Sequence, residues 1–124
     1  MDVKKNILIV EDDFFVTRAY TIKFEKENFN VSSVGDGEAA IEFLKKNFLP
    51  DLIMLDLMIP KKSGFEVLKE IKSDNSWKKI PVVILSNLGQ EEDMKKGSEL
   101  GAVDYILKAE TNIEEVVARI KKFL

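Results

Sequence analysis

The stretch Pro50–Lys72, PDLIMLDLMIPKKSGFEVLKEIK, decides the fold. Its candidate strand, Asp51 to Asp56, holds the unbroken apolar run Leu52 to Leu55. Such a run suits a strand of a parallel sheet that is covered on both faces. Ser63-Gly-Phe-Glu66 then forms a capping box, the signature of a helix start. Gly64, Val67, Leu68 and Ile71 follow at helical spacing. The segment therefore reads as strand, loop and helix, with the acid Asp56 at the strand's carboxyl end.

The same alternation extends in both directions. Further strand candidates are Lys5 to Val10, Phe29 to Val34, Pro81 to Ser86 and Asp104 to Lys108. The strands at Lys5 and Pro81 are almost continuously apolar, whereas NVSSV (Asn30 to Val34) is polar enough for a sheet edge. Between them, Val16, Ala19, Tyr20, Lys23 and Phe24 keep helical spacing, as do Ala40, Ile41, Leu44 and Phe48. The clearest apolar stripe is the last: Ile113, Val116, Val117, Ile120 and Leu124, opened by a second capping box, Thr111-Asn-Ile-Glu114. The segment from Gln90 to Leu100 is mostly polar and contains Gly97, which predicts a marginal, movable helix. Strands alternating with helices predict an α/β fold with a parallel sheet and right-handed crossovers.

Composition narrows the chemistry. The 124 residues suggest one domain, and 45% hydrophobic with 33% charged is ordinary for a globular protein. A net charge of −3 gives no general pull towards nucleic acid or anionic membranes. No apolar run approaches the roughly 20 residues of a bilayer span, and the polar start MDVKKN is no secretory signal, so a cytoplasmic location is expected. The chain has no cysteine and no histidine. Thiolate zinc sites, cysteine nucleophiles and serine–histidine triads are thereby excluded, and any metal site must use oxygen ligands.

In open parallel sheets, ligands bind outside the carboxyl ends of the strands. Those ends carry Glu11 and Asp12, Asp56, Ser86 and Lys108. Three carboxylates brought together repel one another and favour a hard divalent cation. Lys108 suits a phosphate or an acceptor carboxylate, and Ser86 can donate to a phosphoryl oxygen. A carboxylate beside a metal and a lysine can attack a phosphoryl group. Asp13 is expected to cap the first helix instead.

With ILIVEDD, PDLIMLDLMIPKKSGFEVLKEIK, IPVVILSN and GAVDYILK in this order, nearly the whole chain resembles the receiver domain of two-component response regulators. The resemblance implies a doubly wound, flavodoxin-like (βα)5 fold with strand order 2-1-3-4-5. It implies a single receiver domain over residues 1–124 with no output domain after Leu124, either stand-alone or a fragment. Asp56 is the implied phosphoacceptor. Mg²⁺, or Mn²⁺, would be held by Asp12, Asp56, the Met58 carbonyl and, through water, Glu11. Ser86, the Asn87 backbone and Lys108 would bind the phosphoryl group, with Ser86 and Tyr105 as the switch pair. The implied partners are a histidine kinase or histidine phosphotransfer protein and a downstream protein target. Nucleic acid and membrane are not expected as direct partners, and the protein is expected as a monomer or a phosphorylation-dependent dimer. It would be a self-phosphorylating switch rather than a turnover enzyme, with output through the fourth helix, fifth strand and fifth helix.

Two positions depart from the family pattern. Lys108 is followed by Ala109 where the family usually has a proline in a cis peptide, and Asn87 stands where a small residue is usual. A cis bond to a non-proline costs about 2.5–4 kcal/mol, so a trans peptide and a less firmly placed Lys108 are expected. Met58 and Leu88 occupy positions that tune dephosphorylation in the family. Both are apolar and cannot orient a water, which predicts slow phosphoryl loss. Three rival readings use parts of the same sequence. GDGEAA (Gly35 to Ala40) fits a dinucleotide-binding pattern, but it follows the second strand and leaves Glu11, Asp12 and Lys108 unused. An aspartyl phosphatase would need a second aspartate at position 58. A degenerate receiver, acting only as an interaction module, would not need the complete set of acids, hydroxyl and lysine.

Overall fold

The computed structural model describes residues 3–124. Five strands form one sheet: β1 (Asn6–Val10), β2 (Asn30–Val34), β3 (Leu52–Leu55), β4 (Val82–Ser86) and β5 (Asp104–Leu107). Their order is β2-β1-β3-β4-β5, and every pairing is parallel. The predicted architecture and order are thus observed, with each strand one or two residues shorter than its sequence pattern. β3 and β4 are buried along their whole length, while the edge strand β2 is only partly covered. This is the physical origin of the apolar and mixed patterns that distinguish them.

Five helices cover the two faces: α1 (Phe14–Lys26), α2 (Gly37–Lys46), α3 (Gly64–Ser73), α4 (Glu91–Glu99) and α5 (Ile113–Lys121). On one face Tyr20 and Phe24 of α1 and Val116, Val117 and Ile120 of α5 pack on Ile7, Ile9, Met54, Leu85 and Ile106. On the other, Ala40, Ile41 and Leu44 of α2 and Val67, Leu68 and Ile71 of α3 pack on Leu8, Val10, Ile53, Leu55 and Ile84. Each such side chain fully withdrawn from water contributes about 1.5–3 kcal/mol, so the two-sided core outweighs any single loop contact. Trp77 is buried within the core of the α2–α3 face.

Four local expectations are corrected. Phe48 does not continue the α2 stripe: the helix stops at Lys46, Asn47 caps it in extended conformation, and Phe48 is left 66% exposed. Ala19 faces solvent, and α1 is anchored through Tyr20 and Phe24. The N-cap of α5 is Asn112 rather than Thr111, and its Oδ1 accepts from the Glu115 N–H at 2.8 Å. A 3-10 turn at Lys108–Glu110 consumes residues between β5 and α5 and moves the helix entry one position on. Gly97, finally, is the one buried residue of α4 and its seat on the sheet. A Cβ there would lie 2.7 Å from Ile84 Cδ1 and 3.1 Å from Tyr105 Cδ2. The glycine lets the helix approach closely, and Lys96 adds a second tie, its Nζ 4.4 Å from the centre of the Phe65 ring on α3. The other expectation holds: α4 is otherwise little buried.

Candidate functional site

The strand-end acids converge because β1 and β3 are in register, with Val10 opposite Leu55. The next residues, Glu11 and Asp56, leave the sheet side by side, and the Asp56 N–H still donates to the Val10 carbonyl at 3.0 Å. Glu11, Asp12 and Asp56 each offer a carboxylate oxygen within 4.8 Å of the others. Glu11 and Asp56 are buried, whereas Asp12 is exposed. Asp13 is the N-cap of α1, and its Oδ1 accepts from the N–H groups of Phe15 and Val16. The three consecutive acids therefore divide into two that face the site and one that starts a helix.

Lys108 lies between the acids. Its Nζ donates to Glu11 Oε1 at 2.5 Å and to Asp56 Oδ2 at 3.0 Å. The second Glu11 oxygen accepts from the Asp13 N–H at 3.1 Å, so both oxygens of Glu11 have protein partners. Burial raises the Glu11 carboxyl above its ordinary pKa, against the opposing pull of the Lys108 bond. For Lys108, burial alone would lower the pKa, but the bonds to both acids together hold the ammonium above its ordinary value. The two shifts agree physically: the lysine stays charged because two carboxylates hold it, and burial outweighs the lysine's pull on Glu11. One ammonium facing three carboxylates leaves an excess of negative charge, which suits a hard cation with oxygen ligands.

The Lys108–Ala109 peptide is trans, as expected from the missing proline. Lys108 is nevertheless fixed, because it opens the 3-10 turn and spans two buried acids. Asp56 is also held from below. The Met58 N–H donates to Asp56 Oδ1 at 3.2 Å, and the start of α3 touches the Asp56 backbone. A Cβ at Gly64 would sit 2.4 Å from the Asp56 carbonyl oxygen, so only glycine permits this approach. Helical spacing makes Gly64 a member of the α3 stripe; its closeness to Asp56 is a property of the loop path.

Ser86 ends β4 and is fully buried, its Oγ accepting weakly from the Leu88 N–H at 3.4 Å. The Leu88 carbonyl accepts from the Tyr105 hydroxyl at 2.5 Å. The Leu88 backbone thus links the two expected switch residues, a connection without any sequence signal. Burial, with the charges of Asp93 and Asp56, pushes the Tyr105 phenol up to about 12. Asn87 and Met58 are exposed at the mouth of the site. On α5, Arg119 grips Asp104 at the start of β5 with two hydrogen bonds of 2.9 and 2.6 Å, another pairing not foreseen.

GDGEAA is used differently from a phosphate-binding loop. Asp36 caps α2 through the Ala39 N–H at 2.7 Å, and a Cβ at Gly37 would lie 2.1 Å from the Lys62 carbonyl oxygen. The space at this glycine is filled by the β3–α3 loop. A surface groove of 330 Å³ lined by Phe14, Thr17, Ile22 and Ser33 runs beside the acids rather than at them. Chemistry, not cavity size, singles out the site.

The model of the response regulator receiver domain matches residues 7–121. The chain belongs to this family. Receiver domains are signalling switches, and phosphorylation and Mg²⁺ binding are general features of the family. The chain is 38% identical over 118 residues to the DNA-binding dual master transcriptional regulator RpaA of Synechocystis, an alignment covering 95% of this chain and 48% of RpaA. It spans about half the length of the curated relatives it matches. Because RpaA is a DNA-binding regulator, the expectation of no nucleic-acid contact finds no support in this comparison. Among solved structures, the phosphorylated cyanobacterial phytochrome response regulator RcpA is 36% identical with a TM-score of 0.85, covering 97% of this chain and 91% of RcpA. The Mn²⁺-bound response regulator Rcp1 is 33% identical with a TM-score of 0.83, covering 95% and 90%. Among the described residues, no helix is long and apolar enough to cross a membrane.

Proposed function

We propose that this receiver accepts a phosphoryl group on Asp56 from a phosphohistidine of a histidine kinase or histidine phosphotransfer protein. A carboxylate oxygen of Asp56 forms the new bond to phosphorus while the bond to the imidazole nitrogen breaks and its electron pair returns to the ring. One observation carries this reading: Asp56 lies among three converging carboxylates with the Lys108 ammonium 3.0 Å from its Oδ2. Asp12, Asp56, the Met58 carbonyl and Glu11 would hold Mg²⁺ or Mn²⁺, which would neutralise charge on the transferring group. The Mn²⁺-bound form of Rcp1 and the phosphorylated form of RcpA support the same pairing of metal and phosphoryl chemistry.

Phosphorylation adds about −1.5 to −2 charge beside Asp56. Lys108 would leave its shared position between the acids to pair with the phosphoryl oxygens, and Ser86 would turn its hydroxyl from Leu88 towards them, with the Asn87 N–H donating beside it. Because the Tyr105 hydroxyl binds the same Leu88 backbone, this turn reaches β5 and the thinly anchored α4. The output surface is α4, β5 and α5, and the protein acts on itself rather than turning over a substrate, as a cytoplasmic component. In a longer regulator of RpaA's kind, this surface would govern the remaining half of the chain. The apolar Met58 and Leu88 keep phosphoryl loss slow, and Met58→Asn is expected to speed it.

Intact-mass analysis after a small phosphodonor with Mg²⁺ tests the assignment. Wild type is expected to gain one phosphoryl mass and Asp56→Asn none. A mass gain that survives in Asp56→Asn removes Asp56 from the role.

A further inference from the structure

Met58 lies at the mouth of the site with 59% of its surface exposed, and the Met58 N–H donates to Asp56 Oδ1 at 3.2 Å. Met58 is therefore two residues along the chain from the residue that would carry the phosphoryl group, and its backbone is hydrogen-bonded to that residue's carboxylate. The chain has no cysteine, so no thiol competes for an oxidant. Of the other methionines described, Met54 is 2% exposed within β3 and Met94 is 36% exposed on α4. The most accessible thioether in the described chain is thus also the one beside Asp56.

We propose that Met58 is an oxidation site, and that its sulfoxide shortens the lifetime of the phosphoryl group on Asp56. The inference rests on Asp56 as phosphoacceptor. The oxidant is a peroxide: the sulfur lone pair attacks one peroxide oxygen, the O–O bond breaks, and water or an alcohol leaves. Sulfur loses two electrons and the peroxide gains them. A thioether is a weak hydrogen-bond acceptor, whereas a sulfoxide oxygen is polar and accepts readily. It can take a hydrogen bond from a water at the mouth and aim that water's lone pair at phosphorus. In hydrolysis the water oxygen bonds to phosphorus, the bond to the Asp56 oxygen breaks, the carboxylate is regenerated, and a water proton passes to solvent. Sulfoxide formation is reversible by reductases, so the modification can act as a switch rather than as damage.

Hydrogen peroxide in graded doses on the full chain, followed by peptide mass mapping, reads the first half of the proposal. Met58 sulfoxide is expected before Met94 sulfoxide, and preferential oxidation of Met94 would overturn it. Oxidised and untreated wild type, Met94→Leu and Met58→Leu are then phosphorylated, and decay is followed by intact mass. Oxidation is expected to speed decay roughly fivefold in wild type and Met94→Leu, the rate equivalent of one ordinary net hydrogen bond. It should leave Met58→Leu unchanged, and a methionine sulfoxide reductase should restore the slow rate. Met58→Gln, with an acceptor oxygen at similar reach, should decay fast without peroxide. Equal decay of oxidised and untreated wild type refutes the proposal. No phosphoryl uptake by untreated wild type would instead refute the phosphoacceptor reading on which it rests.

Discussion

Replacing Gly97 by alanine tests whether α4 is seated by close approach or merely weakened by a poor helix former. Helix propensity alone favours alanine over glycine by about 1 kcal/mol. The structure opposes this. The added Cβ would meet Ile84 Cδ1 at 2.7 Å and Tyr105 at 3.1 and 3.4 Å. Tyr105 is half-buried and can yield, whereas Ile84 is fully buried in β4, so its Cδ1 can give way only by displacing packed neighbours. Overpacking of a tight core typically costs about 1–3 kcal/mol, and a contact this short belongs in the upper half of that range. The net expectation is a loss of about 1–2 kcal/mol, or a fall in Tm of about 4–8 °C for a chain of this size. Thermal unfolding by circular dichroism measures it. Ile84→Val removes the Cδ1 that the new methyl would strike. The double variant should therefore be more stable than the sum of the single changes by about 1 kcal/mol. A rise in Tm of Gly97→Ala, as propensity alone would give, would refute the reasoning and return α4 to a helix limited by its own sequence.

Three further outcomes follow from the geometry. Asn112→Ala should cost about 1 kcal/mol in urea unfolding and Thr111→Ala much less; the reverse order would restore the sequence-based cap. Lys108→Met should abolish phosphoryl uptake and cost about 2 kcal/mol at neutral pH, below the ~3–5 of a fully buried pair because the lysine side chain keeps 18% exposure. The variant removes the bond that opposes the burial-driven rise of Glu11. The deficit should therefore shrink as pH falls towards the ordinary carboxyl range, and a deficit that grows on acidification would contradict this origin. The Tyr105 phenol, held at about 12 while its unfolded counterpart ionises near 10, contributes stability that is complete below pH 10 and lost as pH rises towards 12. Burial raises the Tyr20 phenol too, so ultraviolet titration should show two late-ionising phenols in wild type and one in Tyr105→Phe.

The alternation of strands and helices, the two-sided burial of β3 and β4, the stripes of α3 and α5 and the capping role of Asp13 were all readable, because hydrophobic periodicity and caps are local. So was the gathering of Glu11, Asp12, Asp56, Ser86 and Lys108 at one edge, since parallel strands must place their carboxyl ends together. The end of α2 before Phe48 and the cap at Asn112 were misread, because a loop's path sets where a pattern stops and the next begins.

What the sequence by itself determined is therefore the inventory: the kinds of side chain, the alternation of elements and the sheet edge to which the acids go. Only the tertiary structure decided how they meet. It bridged Glu11 and Asp56 with one lysine, joined Ser86 and Tyr105 through the Leu88 backbone, and made Gly64, a member of a helix stripe, and Gly97, an apparent helix weakness, into points of close contact. The reason is range. Periodicity and capping act over a few residues along one chain segment, whereas these contacts join residues that only the closed sheet brings within hydrogen-bond or van der Waals reach.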